Sequence, residues 1–153
     1  MKYFIILFIL FYVCFKNAKA DEVKCLALNI YHEARNQPLV GKLAVAQVTI
    51  NRVNNNRFPN SVCAVVRQGF YYNKSPIINK CQFSWWCDGK SDKPKDKASW
   101  QQIQILADKI YTGFFDGIDI VKGATHYHAS YVKPYWAKDK QKLIKIKNHI
   151  FYK

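Results

Sequence analysis

The sequence predicts a single α+β domain, mostly helical with a small β-sheet. Three observations predict it. Apolar residues recur at the i, i+3, i+4 spacing of helices from Val23 to Ala34, from Leu39 to Val53 and from Trp100 to Phe114. The two-residue alternation of strands is confined to Ala124–Ala129 and Leu143–Lys147. The chain has 153 residues, 50% hydrophobic and 16% aromatic, which is enough for one core but not two and excludes a disordered or low-complexity chain.

Residues 1–20 read as a secretory leader. Lys2 supplies the positive start, Tyr3–Phe15 an apolar run and Ala18-Lys19-Ala20 a small-x-small cleavage site. The run falls short of the roughly 20 residues needed to span a bilayer, so no stable membrane anchor is expected once cleavage near Ala20 leaves a domain of residues 21–153. A secreted or periplasmic protein follows. The net charge of +14, from 24 Lys and Arg against 10 Asp and Glu, drops to +11 when Lys2, Lys16 and Lys19 leave with the leader. Cys14 leaves too, and Cys25, Cys63, Cys81 and Cys87 remain, an even number in a compartment where disulfides persist. Three pairings are possible and spacing does not choose among them. Cys81 with Cys87 across a short loop, and Cys25 with Cys63, is the expected arrangement. Zinc is disfavoured, because Cys81 and Cys87 do not have the C-x2–4-C spacing of a zinc site.

In the first helix Val23, Leu26, Ala27, Ile30 and Ala34 share one face, and Asp21 and Glu22 suit the positive end of its dipole. Glu33 lies about 80° off the centre of that face, and His32 points to the far side. A carboxyl group half in the core and half in a cleft is expected to hold its proton more tightly, because burial disfavours the charged form. After Pro38, Leu39–Val53 is apolar around most of its circumference with only Lys42 and Arg52 charged, the pattern of a buried central helix. Residues 54–60 form a loop, and Ser61 caps a short helix, Val62–Gln68, ended by Gly69. Residues 70–97 show no sustained period. Their aromatics and lysines mark a long loop of the functional kind. The last helix has Asp96 or Ser99 as its cap, and the chain turns extended after Asp116-Gly117.

Most catalytic motifs are missing. His32-Glu33 lacks the second histidine of a zinc-binding H-E-x-x-H helix, since position 36 is Asn36. His126 and His128 share a strand face, but one pair does not complete a zinc site. Four paired cysteines leave no thiolate, no G-x-S-x-G elbow is present, and no glycine-rich phosphate loop occurs. No metal or cofactor is expected, and carboxyl chemistry remains. The chain has two glutamates, Glu22 beside the leader and Glu33 inside the folded body. A half-buried carboxyl group is what a general acid for glycosidic cleavage needs, although helix position alone equally allows a surface glutamate paired with Arg35 or Lys42. Gln82-Phe83-Ser84-Trp85-Trp86 offers rings to stack on sugars beside amide and hydroxyl groups that bond them. Two adjacent tryptophans on an extended chain cannot both face inward.

These residues resemble a known family. Cys25–Arg35 with Ile30-Tyr31-His32-Glu33-Ala34-Arg35, Gly41 with Ala44-Val45-Ala46, Asn51-Arg52-Val53, Phe58-Pro59, Gln82-Phe83-Ser84, Trp100, Ala124–Ala129 and the closing His149-Ile150-Phe151-Tyr152 are similar, in order, to the SleB-type cell wall hydrolases, which include spore cortex-lytic enzymes. The resemblance implies a lysozyme-like fold that cuts peptidoglycan glycan strands between N-acetylmuramic acid and N-acetylglucosamine, as a lytic transglycosylase with Glu33 as acid and base. Gln82, Phe83, Ser84, Trp85, Thr125, His126 and Tyr127 would line the substrate cleft. Two departures stand out. Asn36-Gln37-Pro38 replaces a Gly-Glu common in the family, and no separate wall-binding repeat is present, so the positive charge would draw the domain to anionic cell-wall polymers. A monomer without specific nucleic-acid binding is expected. The alternatives are an amidase cutting the sugar-to-peptide link and, in another class, a non-catalytic basic protein that binds polyanions.

Overall fold

A computed structural model describes the backbone of residues 2–153 and the side chains of residues 18–153. The side chains of the expected leader, residues 1–20, therefore lie outside the described residues except at Ala18, Lys19 and Ala20, which are exposed. The elements run α1 (Lys2–Ala34), α2 (Leu39–Val53), α3 (Val62–Val66), β1 (Gly69–Tyr72), β2 (Ser75–Cys81), α4 (Lys97–Tyr111), β3 (His126–Ala129), β4 (Lys142–Ile146) and β5 (His149–Tyr152). Single 3-10 turns lie at Ser84–Cys87 and Tyr135–Asp139. The class is α+β, mostly helical with small antiparallel sheets, as the periodicities predict.

α2 sits between two apolar clusters because small side chains cover it on several sides. Leu43 and Ala46 join a core with Leu26 and Ile30 of α1, Val62 and Val65 of α3, and Ile103 and Ala107 of α4. Ala44 and Val48 face a second core with Val121, Ala124 and Phe151 under the sheet. That sheet has the order β3-β5-β4, and β3 runs against β5 with His126 opposite Tyr152 and His128 opposite Ile150. Sandwiching α2 in this way fixes the ends of α1, α2 and β3 relative to one another, and the candidate site lies there.

Several local expectations hold. Asp96 caps α4, its side chain accepting the Ser99 N–H at 3.0 Å. Ser61 caps α3, accepting from the Ala64 N–H at 3.3 Å. The disulfides are Cys25–Cys63 and Cys81–Cys87, with Cα atoms 5.2 and 6.1 Å apart.

Other expectations need correction. α1 starts at Lys2 and runs through Asp21 and Glu22, so Glu22 does not mark a helix start. Its Oε2 instead accepts the Val62 and Cys63 N–H groups at 2.6 and 3.3 Å, satisfying the unpaired donors at the start of α3. α3 ends at Val66, short of Gln68, because the chain turns into a hairpin. That hairpin, β1–β2, occupies part of the stretch expected to be loop. Asn73 and Lys74 both take positive φ, 46° and 64°, the geometry of a tight two-residue strand turn. Gly69 lies so close to Cys81 that an added Cβ would meet backbone at 3.0 Å. His32 is not on an open face either: segment 84–92 folds over it, and its Nε2 lies 3.1 Å from the Asp92 carbonyl oxygen.

Candidate active site

Three elements converge on Glu33. It stands in the last turn of α1, Arg52 in the last turn of α2 and Tyr127 in β3. The Tyr127 hydroxyl donates to Glu33 Oε2 at 3.0 Å, joining residues 94 positions apart. Asn51 and Arg52 lock β3 onto α2. The Asn51 side-chain amide donates to the Ala124 carbonyl at 2.9 Å, and Arg52 Nε donates to the Thr125 carbonyl at 2.7 Å. Adjacent side chains of one helix thus hold adjacent carbonyls leading into the strand, and Tyr127 is delivered to Glu33.

Arg52 is 5% exposed, its guanidinium set between the rings of Phe58 and Phe83 with centroids 5.3 and 5.1 Å away. Nη1 has no hydrogen-bond partner. The guanidinium makes no ion pair with Glu33 within 4 Å, yet it lies near enough for its charge to act on the carboxyl group. Burial pushes the Glu33 pKa up from its ordinary 4.5, while the Tyr127 hydrogen bond and the Arg52 charge pull in the opposite direction. Burial also raises the Tyr127 pKa well above 10, so its hydroxyl stays a donor.

His126 is the first residue of β3. Burial and the charges of Arg52, Lys140 and Arg57 lower its pKa to about 4, leaving a neutral ring at physiological pH. Its Nδ1 lies 2.9 Å from Thr125 Oγ1, and its ring packs against Phe58 and Trp136. Among the described residues no cluster of three or more His, Cys, Asp or Glu can hold a metal.

β3 thus brings Tyr127 to Glu33, while the Thr125 carbonyl is held by Arg52, and His126, the neighbouring strand position, packs against Phe58 and Trp136. The other expected cleft residues divide. Phe83 is 3% exposed and packs beneath Arg52, so its ring supports the cation and is not open to a sugar. Trp85 is 7% exposed; its Nε1 donates to Asn29 Oδ1 at 3.1 Å and its face stacks on His32 at 4.5 Å. Asn29 is one turn before Glu33 and buried, its amide donating to Thr49 Oγ1 at 3.0 Å. Gln82 and Ser84 are exposed on the same segment. Trp86 is half-buried and donates to the Tyr71 hydroxyl at 3.0 Å; because residues 84–87 form a 3-10 turn and not an extended chain, both tryptophans pack on the same core, a correction to the expectation from strand alternation. Sequence reasoning missed the part played by Arg52. The available signal was a cation in the last turn of a helix otherwise apolar on nearly all sides.

Tyr127→Phe removes the hydrogen bond that favours the Glu33 carboxylate. The midpoint of the pH–activity profile assigned to Glu33 is expected to move upward, with activity down roughly tenfold through looser positioning. Profiles of kcat/KM for both proteins check this.

The comparisons with known proteins agree with one another. A family model described as cell wall hydrolase matches residues 36–152, a span that begins three residues after Glu33. The spore cortex-lytic enzyme of Bacillus subtilis strain 168 is 44% identical over 46 residues, 30% of this chain and 15% of that protein. The spore cortex-lytic enzyme of Halalkalibacterium halodurans is 27% identical over 132 residues, 86% of this chain and 34% of that protein. The chain thus spans about a third or less of these relatives' length. Among solved structures, the catalytic domain of the Bacillus cereus SleB protein superposes with a TM-score of 0.59 at 25% identity, covering 86% of this chain and 89% of that one. The catalytic domain of the germination-specific lytic transglycosylase SleB from Bacillus anthracis gives the same TM-score and identity, covering 86% and 93%.

Proposed function

Because this chain belongs to the cell wall hydrolase family, we propose that it cuts the glycan strand of peptidoglycan between N-acetylmuramic acid and N-acetylglucosamine, as a lytic transglycosylase driven by Glu33. One observation carries the reading. Glu33 is a half-buried carboxyl group whose pKa is raised by desolvation, and the groups that act on it, Tyr127 and Arg52, include no second carboxylate. A glycosidase of the usual kind needs two carboxyl groups flanking the bond, one as acid and one as base or nucleophile. A single carboxyl group suffices when the sugar supplies its own nucleophile.

The proton cycle then closes on one residue. Neutral Glu33 gives its proton to the glycosidic oxygen as the C1–O bond breaks, and the leaving sugar departs with a hydroxyl. The cationic muramyl C1 is captured by the C6 hydroxyl of the same ring, whose proton passes to the Glu33 carboxylate. No water is consumed, and Glu33 ends as it began. Between the two steps the carboxylate is favoured by the Tyr127 hydrogen bond and the Arg52 charge, so the pair lowers the cost of the intermediate charge state.

Export is part of the same proposal. A leader of residues 1–20 cleaved near Ala20 releases a monomeric domain of residues 21–153, secreted or periplasmic. The exposed Ala18-Lys19-Ala20 and the two disulfides support it. The excess of basic side chains suits anionic wall polymers, without specific recognition of nucleic acid.

Mass spectrometry of a peptidoglycan digest tests the reaction. The expected products end in 1,6-anhydro-muramic acid, one water lighter than hydrolytic products. Free reducing ends would make the enzyme a hydrolytic glycosidase, and free stem peptides beside intact glycan would make it an amidase.

A further inference from the structure

The sheet order β3-β5-β4 leaves β3 at an edge, and β3 is the strand that carries Tyr127 to Glu33. An edge strand presents main-chain N–H and C=O groups that no neighbouring strand pairs. The register decides which residues present them. β3 and β5 run antiparallel with His126 opposite Tyr152, Tyr127 opposite Phe151 and His128 opposite Ile150. The Ser130 N–H donates to the Asn148 carbonyl at 2.7 Å, which continues that register and makes Ser130 a hydrogen-bonded position. Bonded and non-bonded pairs alternate along an antiparallel ladder, so His128 and His126 also turn their main-chain groups toward β5. Tyr127 and Ala129 turn theirs to the open edge.

Most of that edge is already used. The Ala124 and Thr125 carbonyls are held by Asn51 and Arg52 of α2, and the Ala129 carbonyl accepts the Val132 N–H at 2.9 Å. Between them Tyr127 keeps both groups free: among the described residues its main-chain N–H and C=O have no partner outside the ladder. The open pair thus belongs to the residue whose hydroxyl holds Glu33, one tyrosine side chain away from the carboxyl group. Tyr127 is half-buried and not sealed in the core.

An open N–H beside an open C=O is complementary to one secondary amide, which offers a C=O and an N–H in return. N-acetylated sugars carry such an amide, the acetamido group at C2. On the reading that Glu33 cleaves peptidoglycan glycan, we infer that the Tyr127 main chain is the subsite for this acetamido group, its N–H donating to the acetyl carbonyl and its C=O accepting from the acetamido N–H. Tyr127 then positions both partners of the reaction, the acid through its hydroxyl and the sugar through its backbone. A peptide stem also carries amides. To add as a strand, however, an extended peptide needs a run of open edge positions, and the occupied carbonyls on either side of Tyr127 leave room for a single amide.

The test replaces residue 127 with the α-hydroxy acid analogue of tyrosine, which turns the peptide bond after His126 into an ester. The phenol and its bond to Glu33 stay, and the main-chain N–H goes. The same change at Ala129, whose N–H also faces the edge, weakens the same strand and serves as control. kcat/KM is measured on N-acetylated glycan and on glycan stripped of its acetyl groups by a deacetylase. Wild type is expected to lose about tenfold on the deacetylated glycan and the Tyr127 ester about tenfold on the acetylated one, chiefly through KM, the size of one hydrogen bond. Both changes together should cost no more than either alone, a comparison that cancels the effect of the charged amine left by deacetylation. The Ala129 ester should match wild type. Additive losses overturn the inference, as does a Tyr127 ester that cuts no worse than the Ala129 ester. A loss that vanishes on glycan freed of its stems by an amidase places a stem amide on the edge and overturns the choice of the acetamido group.

Binding is read separately in Glu33→Gln protein labelled with ¹⁵N-tyrosine. The Tyr127 amide resonance is expected to shift on saturation with an N-acetylglucosamine oligomer and to stay in place with the deacetylated oligomer. An unmoved resonance at saturation overturns the inference whatever the rates. A wild-type protein that cuts no glycan while that resonance shifts contradicts the Glu33 reading alone.

Discussion

Glu33→Gln is expected to abolish glycan cleavage while leaving the domain folded. The amide matches the carboxyl group in size and keeps an oxygen to accept the Tyr127 hydroxyl, but it has no proton to give the glycosidic oxygen and cannot take one back. General acid–base catalysis contributes about 10² to 10⁴ in rate, and because one residue serves both half-reactions the expected loss is about 10³-fold or more. Stability should move the other way. A carboxyl group whose folded pKa is raised above its unfolded value binds its proton more tightly when folded, so its contribution to stability is lost as pH rises from about 4.5 through the folded pKa. Glutamine does not ionise. At neutral pH the variant should melt at the same temperature as wild type or higher, and that combination separates a lost acid from a damaged fold. A variant that releases muropeptides at the wild-type rate contradicts the assignment.

The second large effect concerns Cys25–Cys63. This bond ties α1 to the start of α3 across 38 positions, and the loop-closure entropy it removes from the unfolded chain corresponds to about 4 kcal/mol at 25 °C. Domain stabilities run from about 5 to 15 kcal/mol, so Cys25→Ala/Cys63→Ala gives up a large share of the whole. The melting temperature should fall by roughly 10–15 °C, read by calorimetry under oxidising conditions. Cys81–Cys87 closes only six positions, and its removal should cost about 2 kcal/mol. Its loss should be felt at segment 84–92, over His32, more than in the melting temperature. Equal effects from the two bridges would contradict the chain-entropy account.

The helices were legible because each buries one stripe or nearly all of its surface, and burial writes the helical period into the sequence. The β1–β2 hairpin was not. Phe70, Tyr72 and Ile78 stand exposed, so no buried face imposes alternation, and the turn uses Asn73-Lys74 without the glycine that usually marks it. β5 escaped for the opposite reason. It is the central strand, and His149, Phe151 and Tyr152 are buried, so the polar-apolar alternation of a half-exposed strand is absent.

At the site, Glu33 stood out through the scarcity of glutamate and its position on the rim of a helix face. Its setting did not. The Tyr127 bond spans 94 positions, and the Arg52 charge reaches it from another helix, contacts that depend on how α2 packs against both cores. His32 shows the limit of helix-wheel reasoning: the wheel places it away from the core, and an aromatic loop covers it from outside.

The most direct measurement of the central claim uses that same scarcity. Protein labelled with ¹³C at the glutamate side-chain carboxyl group has two such resonances, from Glu22 and Glu33, and Glu33→Gln removes one and so assigns both. The Glu33 resonance is expected to titrate with a midpoint above 4.5, and kcat/KM for glycan cleavage to fall across the same midpoint as pH rises. A Glu33 midpoint at or below 4.5, or activity that does not change across it, would contradict Glu33 as the acid of the reaction.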